Sequence, residues 1–79
     1  MTPARKEPDT STFTGRFASR LRELRAKAGL SREELAEKIG VKMSAVKNWE
    51  NDLNMPTMDK LPALSKALKV SVRNLLPKE

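Results

Sequence analysis

The segment Ser31-Arg32-Glu33-Glu34 restricts the possible folds of this chain more than any other. A serine followed three residues later by glutamate is a capping box. The Ser31 hydroxyl accepts the Glu34 amide, and the Glu34 carboxylate reaches back to the Ser31 amide. Leu30 and Leu35 stand at the N′ and N4 positions of a hydrophobic staple. Leu35, Ala36 and Ile39 then form the inward face, and Gly40 stops the helix after about two turns. So short a helix does not persist alone in water, so its neighbours must hold it in place.

Those neighbours are also read as short helices, and no stretch alternates like a strand. Phe17, Leu21, Leu24 and Ala28 make one apolar stripe, which predicts a first helix from Arg16 to Ala28 ended by Gly29. A third helix is expected from Met43 to Asn51. Val46 and Trp49 form its inner face, and Lys42 stands where a capping Ser or Thr is usual. A fourth spans roughly Thr57 to Leu68, with Met58, Leu61, Leu64 and Leu68 as its stripe. Pro62 allows two starts for it: Asp59 as N-cap with Pro62 at N3, or Thr57 with a kinked or 3₁₀ first turn. A last helix, Val72 to Leu76, follows Ser71 and ends before Pro77. Residues 1–15 have neither period and are expected to form a flexible tail ahead of a domain over residues 16–79.

The chain has 79 residues, enough for one small domain. There is no cysteine, histidine or tyrosine, which removes disulfides, thiol nucleophiles, imidazole chemistry and ordinary zinc ligands. Glu33 and Glu34 belong to the capping box, so no catalytic group is identified and no enzyme, metal or cofactor is expected. No apolar run approaches the ~20 residues of a membrane span and no secretory h-region is evident. The expected setting is therefore cytoplasmic, nucleoid-associated when bound. Lys and Arg number 16 against 10 Asp and Glu, for a net charge of +6, which favours a polyanionic partner.

Counted from Arg32, Ala36 is fifth, Gly40 ninth and Val46 fifteenth. Two short helices crossing through a tight turn need a small side chain at closest approach, a residue with positive φ in the turn, and an apolar anchor on the second helix. With RLRELRAKAGLSREELAEKIGV, VKNWEN, Pro56 and LSKALKVSVRNLL, this stretch resembles the Cro/C1-type helix-turn-helix domains of phage repressors and xenobiotic-response-element regulators. The resemblance runs from about Phe17 to Leu76. It implies an all-α, lambda-repressor-like bundle of five helices whose third helix enters the major groove of double-stranded DNA.

The resemblance also implies roles for individual residues. Met43, Ser44, Lys47 and Asn48 match base-contacting positions. Their chemistry fits: Lys reaches the guanine O6/N7 edge, Asn pairs with the adenine N6/N7 edge, and Met meets a thymine methyl. Arg32, beside Ser31, and Asn51 match phosphate contacts, and Lys42, just before the base-contacting positions, is read by its charge as neutralising phosphate. Arg32 at a helix N-terminus opposes the macrodipole, which is sensible where a phosphate lies opposite and otherwise marks a solvated surface arginine. Arg25 and Glu50 match a pair that fixes the third helix to the first. Asp52 replaces the glycine common after that helix, which puts the loop geometry in question.

The function expected is a sequence-specific DNA-binding transcriptional regulator, a repressor or controller, acting as a dimer on two-fold half-sites. Val72, Leu75 and Leu76 are candidates for a homodimer patch, with core packing as the alternative for each. Leu53 and Met55 are apolar in a loop and read either as a contact surface or as core plugs. A different class is a protein-interaction module whose main partner is a toxin or another protein. Arg5 and Lys6 admit a basic arm, diluted by prolines and acidic residues.

Overall fold

The computed structural model describes residues 9–77. Of the expected tail, residues 1–8 lie outside that range. Five α-helices follow in order: α1 Phe13–Ala28, α2 Arg32–Ile39, α3 Met43–Glu50, α4 Leu61–Leu68 and α5 Val72–Leu75. A 3₁₀ turn, Met58–Lys60, precedes α4. Among the described residues there is no strand.

The first helix begins at Phe13 rather than Arg16. Thr12 is its N-cap, with its hydroxyl accepting the Gly15 amide at 3.0 Å. Asp9 shapes the approach: its carbonyl accepts the Thr12 amide at 3.1 Å, and its carboxylate accepts the Ser11 amide at 3.0 Å. A Cβ on Gly15 would lie 1.7 Å from the Asp9 carbonyl oxygen, so only glycine lets this turn fold back on the helix. Phe13 stands four residues before Phe17 and so continues the apolar stripe by one turn, but it is 37% exposed and its neighbours are polar. The cap and the close approach do the work instead.

The capping box on α2 forms in both directions, with Ser31 Oγ accepting the Glu34 amide at 3.0 Å and Glu34 Oε1 accepting the Ser31 amide at 2.8 Å. The two hydrogen bonds from Ser31 hold the Glu34 carboxyl below the ordinary glutamate range. Lys42 provides no side-chain cap to α3. Of the two starts open to the fourth helix, the Thr57 one is found: a 3₁₀ turn leads into α4, and Pro62 falls in its first turn, where no amide is missed.

Four helix ends close the same way. Leu30, Val41, Leu53 and Val70 each donate an amide to the carbonyl five residues back, in Schellman fashion. The left-handed residue before each donor is Gly29, Gly40, Asp52 and Lys69 in turn. Glycine is comfortable there. Asp52 and Lys69 adopt φ of 63° and 60° at a steric cost.

Phe17, Leu21 and Leu24 of α1, Leu35, Ala36 and Ile39 of α2, Val46 and Trp49 of α3, Leu64 and Leu68 of α4, and Leu75 of α5 form one core. Ala36 is buried between α2 and α3, where the small side chain was expected. The expected stripes need two corrections. Met58 is 83% exposed, because the 3₁₀ turn rotates it off the face shared by Leu64 and Leu68. Ala28 is exposed at the C-terminal end of α1. In the loop after α3, Met55 packs against the core while Leu53 stays exposed.

Replacing Lys69 by glycine removes the left-handed penalty but loosens the unfolded chain, for a net gain of roughly 0.5–1 kcal/mol. A Lys69→Gly melting temperature a few degrees above wild type is expected. In acid, the Glu34 contribution runs the other way. Its carboxylate stabilises α2 fully above the ordinary glutamate range, and that stability is lost as pH falls through the lowered value. The melting-temperature gap between wild type and Glu34→Ala should therefore be constant near neutrality and narrow at acid pH.

Candidate nucleic-acid interface

The third helix is built to be held from behind. Val46 and Trp49 are buried in the core, and Glu50, at its C-terminal end, is fully buried. A carboxylate taken out of water needs charged, hydrogen-bonded partners. Two arginines supply them. Arg25 Nε donates to Glu50 Oε2 at 2.6 Å and its Nη2 to Oε1 at 3.1 Å, a two-pronged contact. Arg32 Nε donates to the same Oε1 at 2.9 Å. Arg25 also reaches the Leu30 carbonyl through Nη1 at 2.8 Å, which binds the turn before α2 into the same network.

Arg22 completes this support, a role the sequence analysis does not assign to it. Its Nε donates to the Glu50 carbonyl at 2.9 Å and its Nη2 to Asn51 Oδ1 at 3.0 Å. A cation at the last carbonyls of a helix also matches the macrodipole. The available signal was the i,i+3 spacing of Arg22 and Arg25, which puts both on one side of α1.

Arg32, for which a phosphate contact is expected, also has a partner within the fold. Its guanidinium is turned onto Glu50, a partner that is eighteen residues away in sequence. Asn51 likewise has its side-chain oxygen engaged by Arg22 and sits at the C-cap, just beyond α3. Ser31 is exposed at the start of α2, its oxygen occupied by the Glu34 amide and its hydroxyl hydrogen still a donor.

The outer side of α3 is free of such commitments to the core. Met43 is 44% exposed, Ser44 and Lys47 are exposed, and Asn48 is half-buried. Lys42 is exposed immediately before them. Met43, Ser44 and Lys47 are neighbours at helical spacing, with Asn48 beside Ser44 one turn on. The result is a short ridge offering an ammonium, an amide, a hydroxyl and a thioether. Among the described residues no group of acidic or other ligating side chains could hold a metal ion, and no helix is long and apolar enough to cross a membrane.

The expected homodimer patch is altered. Leu75 is fully buried in the chain's own core and offers no surface. Val72 is 37% exposed, and Leu76 is half-buried against the core.

Two short helices locked through a glycine turn, the second anchored inside and polar outside, define a helix-turn-helix domain. The chain belongs to the Helix-turn-helix family, whose model matches residues 21–75. It is 35% identical over 63 residues to the HTH-type transcriptional activator BcrR of Enterococcus faecalis, covering 80% of this chain and 31% of that one. Among solved structures, the restriction-modification controller protein C.AhdI of Aeromonas hydrophila is 36% identical with a TM-score of 0.73. That match covers 77% of this chain and 92% of C.AhdI. The P22 c2 repressor, in complex with a synthetic operator, is 33% identical with a TM-score of 0.73, covering 80% and 96% of the two chains. The chain spans between 31% and 54% of the length of the curated relatives it matches.

Removing the buried carboxylate leaves Arg25 and Arg32 facing each other without an anion. Glu50→Ala should cost roughly 3 kcal/mol in urea unfolding. Arg25→Ala should cost less, because Arg32 remains on Glu50. Equal stability of Glu50→Ala and wild type would show that the network does not hold α3.

Proposed function

We propose that the chain is the DNA-binding part of a transcriptional regulator, and that α3 enters the major groove. The observation that carries this reading is the contrast between the two sides of α3. Its inner side is fixed by the core and by Glu50, while Met43, Ser44 and Lys47 are exposed and Asn48 lies half-buried beside them. A rigid helix presenting base-reading groups is what direct readout requires. The operator-bound P22 c2 repressor and the regulator names of the relatives support it.

In this reading Lys47 addresses a guanine edge, Asn48 an adenine edge and Met43 a thymine methyl. Lys42, and the amides at the start of α2 beside Ser31, contact phosphate and set the register. Arg32 and Asn51 act chiefly by holding α3, and reach phosphate only secondarily. Two copies on two-fold half-sites would give the spacing usual for such domains, through a surface that includes Val72 and Leu76 but not Leu75.

Lys47→Ala and Asn48→Ala should each weaken binding to a duplex carrying the protein's own promoter by roughly tenfold or more while leaving random duplex unchanged. Lys42→Ala should weaken both duplexes and reduce the salt slope by about one. Fluorescence anisotropy across several salt concentrations reads both effects. Equal, weak binding to promoter and random DNA, lost steeply by about 200 mM salt, would overturn the assignment.

A further inference from the structure

A second basic surface lies between α1 and α5. It is a groove of about 1100 Å³ whose lining includes Arg16, Ser19, Arg20, Arg73 and Asn74, with Leu76 and Pro77 as apolar floor. Glu23 is the acidic side chain that lines it, so three guanidiniums face one carboxylate. That carboxylate is taken: Arg20 Nη1 donates to Glu23 Oε1 at 3.2 Å, and Arg20 Nε is pinned to the Asn74 carbonyl at 3.0 Å. Arg16 has only a long contact, 3.4 Å from Nη1 to the Thr10 carbonyl. Its Nε–H is buried with no acceptor.

A buried N–H of a charged group without an acceptor is costly and uncommon in native structures. The groove thus combines excess positive charge, a pre-set arginine in Arg20, and in Arg16 a second guanidinium held by one long hydrogen bond among the described residues. It is also separate from the DNA-reading face. At about 100° per residue, Arg16, Arg20 and Glu23 lie together on α1, with Arg25 roughly opposite and Arg22 about 120° away. The residues that clamp α3 therefore use one side of α1 and the groove uses the other, so a duplex held on α3 leaves the groove open.

We infer that this groove docks an acidic segment of a protein partner, one that places a carboxylate on Arg16 and Arg73 and an apolar side chain on Leu76 and Pro77. The planar guanidinium fork suits a carboxylate in two-point contact, and the apolar floor suits peptide rather than a sugar-phosphate backbone. The partner binds without displacing DNA, which would let a regulator with this domain engage operator and protein together. The inference goes beyond the proposed function. It rests on Arg16 and Arg73, which the reading of DNA by α3 does not use, so DNA reading and docking can fail separately; with the proposed two-copy surface it shares Leu76.

The test uses the full ¹⁵N-labelled chain and an acetylated, amidated hexapeptide of alternating glutamate and leucine, with the glutamine–leucine counterpart as control. The expected result is movement of the Arg16 Nε–H, Ser19 and Asn74 signals with the glutamate peptide only. The Arg16→Gln, Arg73→Gln double variant should weaken binding about tenfold or more. Arg73→Gln alone, at an exposed position on α5, should weaken it measurably with an unchanged melting temperature, which keeps the test valid if Arg16→Gln unfolds. Five results would overturn the inference. They are no movement at the groove, movement centred on residues 42–48, an equal response to the glutamine peptide, movement of the Arg16 signal by random duplex instead of peptide, or concentration-dependent movement without peptide, which would make a second copy the occupant.

Discussion

The burial of Glu50 is the constraint around which this domain is arranged. A carboxylate with no exposed surface at the end of a two-turn helix is unstable by itself, and it survives because charged donors converge on it from α1 and α2. Arg25 ties it to the first helix and to the turn at Leu30, Arg32 ties it to the second, and Arg22 holds the carbonyl that follows. Three helices that meet through apolar contacts alone could slide by a fraction of a turn. Directional bonds to one carboxylate remove that freedom, and they fix the angle at which α3 presents its outer residues.

This arrangement separates holding from reading. The inward residues Val46, Trp49 and Glu50 are committed to the bundle, and so are Arg22 and Arg32 through Glu50. Met43, Ser44 and Lys47 make no such commitment. Changes among the outward residues can therefore alter the outer surface of α3 while leaving its support intact. A similar economy shows on α1, whose opposite sides face α3 and the groove beside α5.

Local features were legible because their partners are three to five residues apart. The capping box at Ser31, the glycine stops at Gly29 and Gly40 and the Ser71 cap are all settled by nearby backbone, and the structure contains each of them. The start of α1 was missed, because Phe13 is a lone apolar residue among polar ones, and the Thr12 cap and the Asp9 turn over Gly15 are what fix the first turn. The left-handed positions were half legible. Glycine announces them, whereas Asp52 and Lys69 adopt them under the pull of a helix that must end. Asp52 gains something in return, since its carboxylate accepts the Asp9 amide at 3.2 Å and ties the approach to α1 to the end of α3.

For the candidate site, the outward positions on α3 followed from helical period once Val46 and Trp49 were assigned inward. The pairing of positions 25 and 50 came from resemblance to a family rather than from spacing. Neither route foresaw Arg22 on the Glu50 carbonyl or Arg32 on its carboxylate. An arginine carries a long, flexible stem, and its partner is whichever anion the fold leaves within reach and out of water. The sequence by itself determined where α2, α3 and α5 start, where α1 and α2 stop, and most of their apolar faces, because those depend on covalent neighbours. Only the tertiary structure decided which arginines serve the buried carboxylate and which line the far groove, because that choice depends on how α1, α2 and α3 meet in space.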